Sequence, residues 1–186
     1  AAAQFRAADL VYTPTGSSTN PSYPLGTAGV ALAAATRPFS TWDHQNVLDL
    51  MTGTYNMPFF DDSGFLAVGS TAFMRSFFED QAFLQAVRPQ NAGRLFRGEL
   101  GEWLGCRFIK ETNALTNALG NGLGEAVYLA ADPVLEITVY PEEIQAKLGA
   151  DYGRDRGLRW VYYGAWKKTW DYTTESEARM IRVHSL

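Results

Sequence analysis

Gly93-Arg-Leu-Phe-Arg-Gly-Glu-Leu-Gly-Glu-Trp-Leu-Gly-Cys-Arg-Phe-Ile-Lys-Glu-Thr-Asn113 packs charges, glycines and alternating apolar residues into one stretch with no nucleophile and base between them. Gly98, Gly101 and Gly105 cut it into short runs. The last run sets Cys106 and Phe108 against Arg107 and Lys110, the period-two pattern of a strand with one face buried. Arg94, Arg97, Glu99 and Glu102 are left for solvent or for a partner, so the stretch is suited to pairing with other backbone rather than to reacting.

Downstream the pattern stays mainly extended. Ala126–Ala130 is a compact apolar run, Val134–Val139 alternates, and Leu158–Trp170 is a long aromatic and β-branched stretch broken only by Gly164. Between the last two, Pro141-Glu-Glu-Ile-Gln-Ala-Lys-Leu148 reads as a short helix, with proline and acidic residues in its first turn. Ala178–His184 alternates charged and apolar residues and is expected to be a closing strand.

Upstream the periodicity changes. Ser40 or Thr41 caps a helix with Asp43 in its first turn and Val47, Leu48, Met51 and Tyr55 on one face; Pro58 ends it. Asp61-Asp62-Ser63-Gly64 makes a turn into the strand Phe65–Gly69. Ser70 and Thr71 then cap a second helix that turns Phe73, Phe77 and Phe83 or Leu84 inward. Helix, strand, helix and strand in this order describe an α+β layer with helices covering a sheet. Gly29–Thr36 is a small-residue run of ambiguous type. Thr13–Thr27, with Pro14, Pro21 and Pro24, reads as an extended connector. Ala1–Val11 carries Phe5, Ala8 and Val11 at helical spacing and reads as the end of a helix begun earlier. That reading expects cleavage or upstream residues, on the order of 100 or more, since domains rarely start inside an uncapped helix; a tag scar is the bland alternative.

Composition narrows the function classes. A chain of 186 residues with 46% hydrophobic content is globular rather than disordered and can bury a good core. A net charge of -4 argues against a surface devoted to nucleic acid, which requires clustered cations. One cysteine permits neither an intrachain disulfide nor a Cys-based zinc site, and fits synthesis in a reducing cytosol. There is no apolar run of the roughly 18 residues a membrane helix needs.

The candidate chemical sites have stronger structural readings. Cys106 lies inside a strand pattern and is expected to be a buried, inert thiol. His44, in the first turn of a helix, reads as a neutral surface histidine, and His184 as a strand-end side chain. Asp61–Gly64 lacks the alternating oxygen ligands of a calcium loop. Gly120-Asn-Gly-Leu-Gly124 has the glycines of a phosphate loop without its spacing or its Lys-Ser/Thr. Glu142 and Glu143 diverge around a helix and form no dyad. No catalytic, cofactor-binding or metal-ligating set is expected. What remains is suited to association: Trp103, Trp160, Trp166, Trp170, Tyr162, Tyr163 and Tyr172, with Arg154, Asp155, Arg156, Arg159, Lys167 and Lys168 interleaved. For most of these aromatics, filling the core while the cations face water is the expected role.

Several blocks in order resemble the N4 gp56-like major capsid proteins of tailed phages. They are Gly64-Phe-Leu-Ala-Val68 before a helix, Arg97-Gly-Glu-Leu-Gly-Glu-Trp-Leu-Gly-Cys-Arg107 ahead of Glu111-Thr-Asn113, Asp132-Pro-Val-Leu-Glu136, and Gly153-Arg-Asp-Arg-Gly157 before Lys168-Thr-Trp-Asp171. The resemblance implies an HK97-type capsid fold. Residues 1–35 would be the end of the spine helix plus a connector, 36–130 the axial domain, and 131–186 a return to the peripheral domain with the C-terminal strand. The family's N-terminal arm and extended loop have no counterpart in this chain. It further implies a non-enzymatic subunit, without cofactors, that builds an icosahedral shell around double-stranded DNA. The partners would be copies of itself in pentamers and hexamers, together with scaffolding, portal and decoration proteins. DNA would be touched only non-specifically and no membrane would be involved. Assembly would take place in the host bacterial cytoplasm and the product would be the virion. The expected subunit contacts are Arg94, Arg97, Glu99, Glu102, Arg154, Asp155, Arg156, Lys167 and Lys168. Two other classes stay open: a receptor- or carbohydrate-binding virion module stacking sugars on exposed aromatics, and a hydrolase gathering Asp43, Glu79 or Asp132 in one pocket.

Overall fold

The computed structural model describes residues 10–17, 20–22, 25–27, 35–62, 64–81, 83, 101–111, 124–147, 157–170 and 177–186. In chain order its elements are β1 (Leu10–Tyr12), β2 (Thr15–Ser17), β3 (Asn20–Ser22), β4 (Leu25–Thr27), α1 (Thr41–Asp49), a π-helical turn (Leu50–Thr54), β5 (Phe65–Gly69), α2 (Thr71–Glu79), β6 (Glu102–Trp103), β7 (Cys106–Lys110), β8 (Gly124–Leu129), β9 (Val134–Lys147), β10 (Gly157–Lys168) and β11 (Met180–Ser185). The class is α+β, as the alternation of helical and period-two patterns implies.

Seven strands form one sheet in the order β4-β1-β11-β8-β5-β7-β6. The pairs β1–β11 and β5–β7 run parallel; β11–β8, β5–β8, β1–β4 and β6–β7 run antiparallel. The sheet thus draws strands from all three segments that the sequence divides. Both described helices pack on one face, where Phe39, Val47, Met51, Phe65, Phe73, Met74, Cys106, Phe108, Tyr128 and Ile181 make the main core. The opposite face holds a smaller cluster of Leu66, Val127, Leu129 and Met180, beside an ion pair at 2.6 Å between the buried Glu125 and the half-buried Arg182.

Local chemistry explains why the helices start where they do. Ser40 caps α1 in a capping box with Asp43. Ser70 caps α2 by accepting the Phe73 N–H at 3.3 Å, and the same hydroxyl accepts the Glu125 N–H at 3.0 Å, pinning the helix start to β8. The contact is so close that a Cβ on Gly124 would stand 2.5 Å from the Phe73 backbone nitrogen, so only glycine fits.

Three expectations need correction. Leu10 and Val11 are strand, not the end of a helix: β1 lies between β11 and β4 with all three residues buried, and ladder pairing outweighs the helical spacing of Val11. Residues 1–9 and 28–34 are outside the described residues. The connector Thr13–Thr27 contains structure of its own, the β2–β3 ribbon and the edge strand β4. Pro21 is tolerated there because a two-stranded ribbon leaves each strand one unpaired edge. Pro141–Lys147 is not helical but the second half of β9, laddered to β10, with Trp160 opposite Ile144 and Leu158 opposite Ala146. The ladder shifts register between Val161 and Tyr163, opposite Glu143 and Tyr140, so Pro141 falls in the irregularity and its missing N–H removes no regular rung.

Candidate assembly surface

β9 and β10 form a two-stranded antiparallel ribbon separate from the large sheet. Its root is tied down: the Thr169 N–H donates to the Pro133 carbonyl at 3.2 Å, and the Arg179 guanidinium lies 5.7 Å from the Trp170 ring centre. Val134 at the root packs against the smaller cluster, and among the described residues neither core takes in any other ribbon side chain.

Cross-strand pairing sorts the ribbon into two faces, because residues directly opposite share a face. One, the Trp160 face, carries Leu158, Trp160, Tyr162 and Trp166 with Ile144, Thr138 and Glu136. Trp160 and Tyr162 stack at 5.9 Å, and Tyr162 donates to Glu136 at 2.7 Å. Gly164 lies between them; a Cβ there would collide with the Tyr162 hydroxyl, so the bare backbone is what lets the phenol cross the ribbon. The other, the Tyr163 face, carries Val161, Tyr163, Ala165 and Lys167 with Leu135, Ile137 and Tyr140. Here Tyr140 donates to Glu143 at 2.8 Å, and the Arg159 Nε donates to Gln145 at 2.8 Å. Hydrogen bonds to carboxylates hold both phenols above their ordinary pKa, Tyr140 through Glu143 and Tyr162 through Glu136; Tyr140 holds Glu143 below its own.

Trp160, Tyr163, Trp166 and Trp170 are therefore not core, which corrects the expectation that most of these aromatics fill it; Trp103 does pack against the main core, and Tyr172 lies outside the described residues. Leu158 is 77% exposed, Ile144 72%, Tyr163 70% and Trp160 62%. The sequence does carry the signal. Val134, Leu135, Ile137, Val139 and Tyr140 on one strand, and Trp160 to Tyr163 on the other, are apolar at both parities, whereas a strand with one wet face alternates.

Of the expected contact residues, Arg94, Arg97, Glu99, Arg154, Asp155 and Arg156 lie outside the described residues. Glu102 is exposed on β6 at one edge of the large sheet, while Lys167 and Lys168 stand near the root of the ribbon, Lys167 exposed and Lys168 half-buried. The structure places Glu102 and the lysines on different sheets.

The groups with catalytic potential are engaged in the interior. His44 is fully buried, correcting its reading as a surface histidine, because it caps the main core from the first turn of α1. Its Nε2 faces the Trp103 carbonyl at 3.2 Å and must carry the proton, which leaves Nδ1 to accept from the Tyr128 hydroxyl at 2.9 Å. Burial pushes its pKa down to about 4. His184 is also buried and is pushed down to about 4 by burial and then by Arg182. Cys106 is buried and its thiol is pushed far up by burial, consistent with an inert side chain. Asp43 accepts Tyr12 at 2.7 Å and a bidentate fork from Arg37. Glu79 pairs with Arg75 on the surface, so Asp43 and Glu79 of the hydrolase reading have separate partners, while Asp132 stands exposed just before β9. No group of three or more metal-ligating side chains occurs among the described residues.

No family model matches the chain, and no curated protein matches it significantly. Solved structures do. The capsid asymmetric unit of cyanophage Pam1 aligns with a TM-score of 0.61 at 13% identity, over 78% of this chain and 47% of that one. The head structure of Helicobacter pylori bacteriophage KHP40 aligns at 0.57 and 11% identity, over 81% and 59%. The capsid of Ralstonia phage GP4 aligns at 0.55 and 16% identity, over 86% and 50%. The chain spans about half to three-fifths of the length of these capsid chains. The α+β fold is that of phage capsid proteins, with which the expected HK97-like architecture is consistent.

Proposed function

We propose that this chain is, or is part of, a subunit that assembles with copies of itself into the capsid shell of a tailed bacteriophage enclosing double-stranded DNA. The observation that carries this reading is the fold likeness over 78–86% of the chain to three phage capsids or heads. The two-faced aromatic ribbon supports it, since an isolated hairpin is marginal in water and so much apolar surface marks a contact. In this reading residues 36–130 belong to the axial-type domain and residues 131–186, the ribbon among them, return to the peripheral-type domain. The role is structural and non-catalytic, and the place of action is the virion, assembled in the host cytoplasm.

The narrower assignment to the N4 gp56-like family rests on the sequence blocks around Arg97–Arg107 and Gly153–Gly157. Arg94, Arg97, Glu99 and Glu102 are proposed as subunit contacts on the same basis. Reversing Arg97 or Glu99 singly should lower particle yield and the double reversal should partly restore it; unchanged yield in both single variants overturns that assignment. Protein mass spectrometry of purified virions tests the function. Peptides of this chain should be among the most abundant in the particle, and their absence would refute the reading.

A further inference from the structure

We propose that the β9–β10 ribbon is clasped between two neighbouring copies of this chain, the Trp160 face of one copy packing on the Tyr163 face of the next. This rests on the capsid reading and names the surface and the polarity of its contact.

Area gives the first argument. β10 has 12 residues, so the ribbon is about 40 Å long and, with two strands, about 10 Å wide, or about 400 Å² per face. Each contact between copies buries about 400 Å² on either partner, about 800 Å² in all, less than the roughly 1,200 Å² of a stable pairwise interface, so it suits a contact repeated around a closed assembly rather than a lone dimer. Each face is as large as the roughly 300–600 Å² of the largest patch on a typical monomer, and this ribbon carries two of them. Covering one face alone would leave the other wet with Tyr163 or with Trp160, so the ribbon needs occupants on both sides.

Charge says which surface fits. Among the described side chains, the Trp160 face carries the carboxylates Glu136 and Glu142, the latter felt by Tyr162, against the cation Lys168. The Tyr163 face carries, among the described side chains, the cations Arg159 and Lys167 against the carboxylate Glu143. A Trp160 face meeting its own kind would set acidic against acidic. Meeting the Tyr163 face of another copy, it sets acidic against basic, with aromatic and aliphatic side chains on both. Such a contact is heterologous, and repeated by rotation it closes into rings, whereas a self-complementary contact stops at a dimer. The occupant that supplies both faces, in unlimited number, is a second copy of this chain.

The test uses two charge-reversed forms of the full gene product, Glu136→Lys with Glu142→Lys, and Arg159→Glu with Lys167→Glu. Far-UV circular dichroism and soluble yield confirm folding, since all four side chains lie on the exposed ribbon. Particle yield is read by sedimentation and electron microscopy. Each variant alone should lose about tenfold or more in particles, because like-charged faces then meet, and combining all four reversals in one chain should restore yield to within about twofold of wild type, because every contact is then again acidic against basic in rings of five as in rings of six. Failure of the chain with all four reversals to recover, or wild-type yield from either double variant alone, overturns the clasp while leaving the capsid reading standing. Absence of particles from the wild-type protein strikes the capsid reading itself.

Discussion

Tyr162 reaches Glu136 across the bare backbone of Gly164, and that crossing fixes the centre of the ribbon's Trp160 face. Replacing Gly164 with alanine must displace the phenol, because the new Cβ also approaches the Ile137 carbonyl at 2.9 Å. Amide exchange in β9 and β10 should accelerate while β8 and β11 stay protected, and the loss should be about 1 kcal/mol, since the far end of a side chain can give way. Equal acceleration in both sheets would contradict the separate character of the ribbon.

Gly124→Ala should be the harsher change. Here the obstructing atoms are the Phe73 backbone at the start of α2, at 2.5 and 2.6 Å, so the helix itself must move. A loss of about 3 kcal/mol in urea unfolding is expected. A loss below about 0.5 kcal/mol, the size of an ordinary surface change, would show that α2 does not rest directly on β8.

The Arg37–Asp43 pair joins the chain before α1 to the helix start and to Tyr12 of β1. Asp43→Asn keeps the shape but leaves the largely buried guanidinium without its counter-charge, which should cost about 3 kcal/mol. In a double-mutant cycle with Tyr12→Phe the two losses should be non-additive, because both touch the same carboxylate. Strict additivity in chemical denaturation would remove Tyr12 from the network.

Stability should fall on mild acidification. His44 titrates at about 4 in the folded protein against an ordinary 6.5, so between those values the unfolded chain binds the extra proton. The contribution of the neutral ring is complete above pH 6.5, shrinks as the pH drops toward 4, and amounts to about 3 kcal/mol in full. His184 acts in the same direction. Urea midpoints measured from pH 7.5 to 4.5 should decline, and His44→Gln should flatten the curve at a lower plateau; an unchanged slope in that variant would contradict the assignment.

The legible part of the fold was the part governed by local rules. Ser40 with Asp43, Ser70 before Phe73, and the alternation at Cys106 and Phe108 specify their elements by caps and pleat. Two elements were misread where partners distant in sequence decide. Val11 sits at helical spacing yet is held by β11, more than 160 residues away, and Pro141-Glu-Glu opens like a helix yet is held by the β10 ladder. His44 looked like a surface residue because a first-turn histidine carries no mark of what packs on it. The two-parity apolar pattern of β9 and β10 was visible, but it specifies only that both faces need cover, and a core and a neighbouring subunit satisfy it equally well.

Exposed aromatics on a contact surface should separate stability from assembly. Trp160→Ser removes a side chain that is 62% exposed, so the unfolding free energy should change by no more than about 0.5 kcal/mol. Particle yield should nevertheless fall. A variant as destabilised as one with a truncated core residue would place Trp160 in the subunit interior instead.

Electron microscopy of the purified gene product, concentrated in neutral buffer, bears most directly on the central claim. Closed, uniform shells with clustered five- and six-fold units are predicted, with the β9–β10 ribbon at a boundary between subunits in the reconstruction. A monodisperse small protein that never assembles, alone or with the other head proteins of its phage, would contradict it.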